Sequence, residues 1–225
     1  FSASENMRTV IIANGDAPTE RDLARWLRPG DQLICADGGA RVALRHNLRP
    51  QHIIGDFDSL EAGELAALEE DFARRREFAG DEDGAQLHRH PPAKDETDLE
   101  LALSFAVARH PDGEIVILGA MGGRVDHQLA NMLLLAMPAL RGLRVTIAHG
   151  PERIMLIDAR TAPATAALEG AAGDTVSLLP FGGDAHGIST EALQYPLHDE
   201  SLFVGPARGV SNVMLASRAR VSVTA

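Results

Sequence analysis

The sequence predicts an α/β protein: an N-terminal doubly wound, mostly parallel sheet followed by a smaller antiparallel β domain. Three observations carry this. Up to about residue 150, short β-rich runs alternate with segments of helical period, which implies parallel strands joined by helical crossovers. Those runs are continuously apolar, as strands are in a sheet covered on both faces. Beyond residue 150 the helical period stops, and Gly and Pro punctuate short strand candidates at close intervals. The expected domains are residues 1–150 and 151–225.

The first run, Val10-Ile11-Ile12-Ala13, ends in Asn14-Gly15. Pro18-Thr19-Glu20 then opens a helix with Leu23, Trp26 and Leu27 on one face. Leu33-Ile34-Cys35-Ala36 is the second run and stops at Asp37-Gly38-Gly39, before a short helix with Val42 and Leu44. Ile53-Ile54 is the third and ends at Gly55-Asp56. Leu65, Leu68 and Phe72 give residues 61–77 an amphipathic helical period. Residues 80–85 are acidic and read as a surface loop; Gln86 to His90 read as a polar strand. Thr97-Asp98-Leu99-Glu100 has the form of a capping box, opening a helix to about Ala108. Ile115 to Leu118 is a strand, and Leu129, Met132, Leu133, Ala136 and Met137 mark one face of the next helix. Val145 to Ala148 closes this half. The β domain offers Arg153–Ile157, Thr175–Leu179, Leu202–Val204 and Arg220–Val223 as strands.

The net charge of −11 argues against nucleic acid as a partner, because backbone phosphates need Lys and Arg. A polyanionic substrate then needs a metal ion or a few placed cations. Cys35 is the only cysteine and lies within an apolar run, so it reads as a buried thiol in a reducing, cytoplasmic compartment. No apolar stretch approaches a membrane span. Residues 1–6 lack the basic-then-apolar pattern of a signal peptide, and Met7 is a candidate first residue.

In open α/β sheets, ligands sit outside the carboxyl ends of the strands. Asp37, Asp56 and Asp58 each follow an apolar run and should gather at that edge. Lys94-Asp95-Glu96-Thr97-Asp98 adds carboxylates at a helix start. Carboxylates suit Mg²⁺, which keeps waters and bridges to substrate phosphates. A single Asp here reads equally as a turn or cap residue. Asp56 and Asp58 together are harder to place that way, because carboxylates two residues apart repel and a cation between them relieves it. Gly122-Gly123-Arg124-Val125-Asp126-His127 follows the Ile115 strand. Its glycines make a tight turn open to phosphate, and Arg124 brings a forked donor. His88, His90, His110 and His127 read as solvated. No Gly-x-x-x-x-Gly-Lys-Ser/Thr loop is present, so this is not a P-loop kinase.

Taken in order, Asn14-Gly15, Ala36-Asp37-Gly38-Gly39-Ala40, Gly55-Asp56-Phe57-Asp58-Ser59, Lys94-Asp95-Glu96-Thr97-Asp98, Gly122 to His127, Leu193-Gln194-Tyr195-Pro196-Leu197 and Gly209-Val210-Ser211-Asn212 resemble the thiamine pyrophosphokinase family. The resemblance covers nearly the whole chain. It implies a β-sandwich-like C-terminal domain that binds thiamine and dimerises, and a homodimer. It implies Mg²⁺-dependent transfer of diphosphate from ATP to the thiamine hydroxyl, releasing AMP. Asp56, Asp58 and Asp95 match the family's metal-binding aspartates, with Asp37 and Asp98 close to them. Arg124 and Asp126 match a motif at the nucleotide and phosphate site, which Asn14, Gly38, Gly39, Lys94, Thr97, Gly122 and Gly123 extend. Tyr195 falls where the family has an aromatic near thiamine, and Ser211 and Asn212 match its substrate-side motif. By residue chemistry alone, Tyr195 reads equally as an ordinary strand aromatic or as a face for the thiamine cation. Val213 departs from the family pattern, which often has an acidic residue there. The proton acceptor stays open between Asp98 and Asp126.

Two rivals remain at this level. Asp56-Phe57-Asp58-Ser59-Leu60 after an apolar run looks like the nucleophile motif of haloacid-dehalogenase-type phosphohydrolases. That motif belongs near a chain start, whereas two strand-helix units precede it here. The other rival is a non-catalytic nucleotide or thiamine sensor.

Overall fold

The apolar runs pair as parallel strands because each is buried on both faces. In a computed structural model, which describes residues 7–79 and 86–225, β1 (Arg8–Ile12), β2 (Gln32–Ala36), β3 (His52–Gly55) and β5 (Glu114–Leu118) are almost wholly buried. With β4 (Gln86–Arg89), β6 (Arg144–His149) and β7 (Glu152–Ile154) they form a seven-stranded sheet, ordered β4-β3-β2-β1-β5-β6-β7. All neighbours are parallel except β6 and β7. The order reverses between β1 and β5, so this is the switch point at which the loops on either side diverge.

Helices cover both faces, as a doubly wound sheet requires. α1 (Glu20–Trp26), α2 (Gly39–Arg45) and α3 (Ala62–Ala79) bring Leu23, Trp26, Val42, Leu68 and Phe72 onto Val10, Ile12, Cys35 and Ile53. α4 (Asp98–Arg109) brings Leu99, Ala102, Leu103 and Ala106 onto Ile11, Ile34, Ile54 and Ile117 on the other face. Thr19 starts α1 with a reciprocal capping box to Asp22, and Thr97 starts α4 by accepting the Glu100 N–H. α5 (Val125–Leu134) differs from expectation. Leu129 and Leu133, expected on its core face, are more than half exposed. Met132 and Met137 of that expected face do pack on the second core cluster, joined by Leu134 and Leu135 at the end of the helix. The acidic segment 80–85 lies outside the described residues.

The chain divides into two compact units, Phe1–Leu156 and Ile157–Ala225. The division falls six residues beyond 150 because Glu152–Ile154, expected in the β domain, folds back antiparallel onto β6. The second unit has a four-stranded antiparallel sheet, β11-β10-β13-β8, and a two-stranded ribbon, β12-β9. These strands are β8 (Ala164–Glu169), β9 (Thr175–Val176), β10 (Ala185–Glu191), β11 (Glu200–Leu202), β12 (Asn212–Val213) and β13 (Arg218–Val223). The residue pattern did not suggest β8 or β10. Ala-Thr-Ala-Ala-Leu-Glu and Ala-His-Gly-Ile-Ser-Thr-Glu carry few of the β-branched and aromatic residues that mark strands. Among the described residues no helix is long and apolar enough to cross a membrane.

Candidate active site

The carboxylates arrive where the strands end. Asp37 follows β2 directly, and its N–H donates to the Ile54 carbonyl oxygen at 2.8 Å, extending the β2–β3 ladder by one bond. Asp56 follows β3 directly, and Asp58 is two residues on. One carboxylate oxygen from each of Asp37, Asp56 and Asp58 lies within 4.8 Å of the others. Asp37 is 4% exposed, and its Oδ1 is buried without a hydrogen-bond partner. A buried carboxylate oxygen with no donor is costly unless a cation meets it. Two residues here hold left-handed backbone without being glycine, Asp37 at φ 42° and Phe57 at φ 65°. Such strain collects at functional sites. The donor set, three hard oxygens at one strand edge, fits Mg²⁺.

Lys94 completes this corner. Its Nζ donates to Asp98 Oδ1 at 2.5 Å and lies 3.7 Å from Asp56 Oδ2. Burial works against the Lys94 charge, but the carboxylates of Asp98, Asp56 and Asp37 outweigh it and raise its pKa. Asp98 is half-buried, and that burial, with Asp37 and Asp56 nearby, pushes its carboxyl up despite Lys94. Asp95 is exposed and stands outside the three-carboxylate group.

Across β1, a second feature was not signalled by any motif. Asp16, Thr19, Asp22, Gly119, His149 and Gly150 line a cleft of about 300 Å³ at the ends of β1, β5 and β6. It lies beside the strand-order reversal. The loops on its two sides are tied together: Gly15 N–H donates to the Gly119 carbonyl oxygen and Asp16 N–H to that of Met121. Gly122 packs so closely on Asp16 that a Cβ would stand 1.9 Å from the Asp16 Cγ, and its φ is +88°. The φ is what favours glycine here, since the Asp16 carboxylate could swing aside.

Beyond Gly123, Arg124 is largely exposed and grips Asp126 through two hydrogen bonds of 3.1 and 2.5 Å. The Arg124 guanidinium, with the His127 N–H, holds the Asp126 carboxyl down at about 2. Asn14 Nδ2 donates to Ser59 Oγ at 3.1 Å, linking the end of β1 to the aspartate loop. Gly38 and Gly39 are buried at the start of α2, and Thr97 is exposed as the N-cap of α4. His127 is exposed, as expected. His88 is not solvated: it is half-buried, its ring 4.6 Å from that of Phe105, because it projects toward α4 from the edge strand.

In the second unit, Tyr195 is 63% exposed. The buried Asn212 holds its backbone from both sides. Asn212 Oδ1 accepts the Tyr195 N–H at 3.0 Å, and Nδ2 donates to the Tyr195 carbonyl at 2.7 Å. Ser211 is exposed at φ 60°, and its N–H donates to Ser177 Oγ.

Comparison with known proteins covers both units. Residues 24–147 match the thiamin pyrophosphokinase catalytic domain, and residues 165–225 match the thiamin pyrophosphokinase vitamin B1 binding domain. The chain is 29% identical over 218 residues to thiamine pyrophosphokinase of Bacillus subtilis (strain 168), covering 96% of this chain and 94% of that protein. It is 24% identical over 234 residues to thiamine pyrophosphokinase 1 of Oryza sativa subsp. japonica, covering 95% and 82%. The crystal structure of thiamine pyrophosphokinase from Bacillus subtilis superposes with a TM-score of 0.79 at 27% identity, over 96% of this chain and 93% of that one. That from Geobacillus thermodenitrificans gives 0.78 at 26% identity, over 96% and 93%. With one family matched across both units, this chain belongs to the thiamin pyrophosphokinase family.

Proposed function

We propose that this protein is a thiamine diphosphokinase, transferring diphosphate from ATP to the hydroxyl of thiamine and releasing AMP. The convergence of Asp37, Asp56 and Asp58 at one strand edge carries this reading, within a chain whose two units both match the family. The phosphohydrolase and sensor alternatives find no support in either match.

Asp37, Asp56 and Asp58 are the proposed holders of Mg²⁺, which would neutralise phosphate charge as the transfer proceeds. The thiamine oxygen forms a bond to the β-phosphorus of ATP, and the bond from that phosphorus to the α,β-bridging oxygen breaks. AMP leaves with the electron pair. Of the two carboxylates open as proton acceptor, Asp98 has the better chemistry. Its carboxyl is raised by burial and sits beside the metal-side aspartates, whereas Asp126 at about 2 is a weak base. Lys94 is placed to offset negative charge beside Asp56. Arg124, exposed on a glycine-rich turn, is free to exchange Asp126 for a phosphate.

The nucleoside is proposed to occupy the cleft bounded by Asp16, Thr19 and His149. Strands are about 4.8 Å apart, so β3 and β5 stand roughly 14 Å apart. That separation suits a triphosphate anchored at Asp56 with its sugar and base at the cleft. On the second unit, the exposed Tyr195 ring offers a face to the thiamine cation. Asn212 would set that ring through its backbone bonds, and Ser211 adds a polar neighbour. The chain is proposed to act as a homodimer in the cytoplasm.

Incubation with ATP, Mg²⁺ and thiamine, with the nucleotides resolved, tests the reaction. AMP and thiamine diphosphate are the expected products; ADP alone, free phosphate alone or no turnover would overturn it. Asp56→Asn is expected to lower turnover by on the order of 10³-fold with an unchanged circular dichroism spectrum. Full activity in that variant would remove Asp56 from the mechanism.

A further inference from the structure

The loop carrying Asp56 and Asp58 needs restraint. Phe57 sits in the left-handed region, which bulky residues rarely adopt. Its ring is buried at 4% exposure with the Arg89 guanidinium 5.2 Å from the centroid, and Leu60 is buried as well. These two side chains fix the inner side of the loop. Its outer side carries the exposed Asp58, whose repulsion from Asp56 favours splaying apart.

Arg41 supplies the outer restraint. It is the third residue of α2, four after Asp37. Its Nη2 donates to the Ser59 carbonyl oxygen. Nε and Nη2 also reach the Glu64 carboxylate, at 3.3 and 3.2 Å. Glu64, in the first turn of α3, accepts the Glu61 N–H at 3.0 Å. The loop is therefore bracketed at residues 59 and 61 by one bridged Arg–Glu pair. The Glu61 N–H first, and Arg41 second, hold the Glu64 carboxyl below its ordinary range, so the pair stays charged. From Ser59 the connection to the cluster is direct: Ser59 Oγ donates to Asp58 Oδ1 at 3.4 Å while receiving the Asn14 amide.

We propose that Arg41 is a positioning residue for the divalent cation: clamping Ser59 and Glu64, it keeps Asp58 within reach of Asp37 and Asp56 and so sets cation affinity. This rests on the metal reading of the three carboxylates. Groups that orient ligands from behind typically change metal affinity 10–100-fold when removed. Lysine, a point charge on a flexible stem, reproduces only poorly a rigid planar fork that bridges two acceptors.

Mn²⁺ titration followed by electron paramagnetic resonance tests this on the full chain without substrates. Wild type, Asp56→Asn, Arg41→Gln and Arg41→Lys are compared, with thermal unfolding of each. Wild type is expected to bind Mn²⁺ and Asp56→Asn to lose it. Arg41→Gln should weaken binding by about tenfold or more with little change in unfolding midpoint. Arg41→Lys should fall nearer to Arg41→Gln than to wild type. Wild-type affinity in Arg41→Gln, full recovery by lysine, or a loss that only tracks unfolding would each overturn the clamp. Absence of Mn²⁺ binding by the wild type, or wild-type binding by Asp56→Asn, would remove the metal reading itself and the clamp with it.

Discussion

Gly39 opens α2 against the end of β1, where an added Cβ would stand 2.0 Å from the Ile12 carbonyl oxygen. That contact is with backbone, so relief requires the helix to move off the sheet. Gly39→Ala is therefore expected to lose roughly 1–3 kcal/mol of stability, the usual range for overpacking. Urea unfolding measures it, and an unchanged midpoint would contradict the close packing. The aspartates were legible in sequence because each stands at the end of an apolar run. The glycine motif was legible too, but as an approach for phosphate; the packing demand at Gly39 depends on β1, more than twenty residues away. Arg41 carried no signal at all. Its acceptors, Ser59 and Glu64, are brought to it only by the turn after β3.

Strand β4 is the edge of the large sheet, and side chains add to the attachment that its ladder with β3 provides. His88 Nε2 lies 3.3 Å from His52 Nδ1, and both rings pack on Phe105 of α4. Burial first, then the charges of His90 and Arg109, lower the His88 pKa below its ordinary value. The unfolded chain then binds the proton more readily than the fold. The His88 contribution is thus complete above the unfolded value, near 6.5, and is lost as pH falls toward the depressed folded one. The thermal midpoint of wild type should decline below about pH 6.5, and His88→Gln should flatten part of that decline. Equal slopes in the two proteins would count against the burial of His88. Element type was read well wherever the apolar run was continuous. It failed for β8 and β10, which carry few β-branched or aromatic residues. For α5 the helix was read correctly but its face only in part: Met132 and Met137 pack on the core while Leu129 and Leu133 face outward. Periodicity locates an apolar face but does not say what covers it.

At the level of the molecule, the two units differ in how much they bury. The first has two apolar clusters, one on each face of a seven-stranded sheet. The second, residues 157–225, has two small ones, and its buried members number five and three. Small domains cover a lower fraction of their surface and often need a partner. Consistent with this, Leu179, Phe181, Phe203, Val204 and Val210 are all exposed there, the last 45% and the first 69%. Phe203 stands edge-on to His186, Val204 N–H donates to Asp184, and Leu178 N–H donates to the Gly209 carbonyl, which brings the chain before Leu179 beside the one before Val210. Association of two copies removes such side chains from water at about 25 cal/mol per Å², a gain that a single copy forgoes. Sedimentation velocity should therefore return about twice the chain mass of 24.0 kDa. Phe203→Glu should shift that boundary toward one chain mass at micromolar concentration, since a buried charge without a partner costs several kcal/mol. The variant's far-ultraviolet spectrum should stay native, because Phe203 is 54% exposed in the single chain. A wild type sedimenting as a single chain would overturn the dimer, and a Phe203→Glu dimer as tight as wild type would place the interface elsewhere.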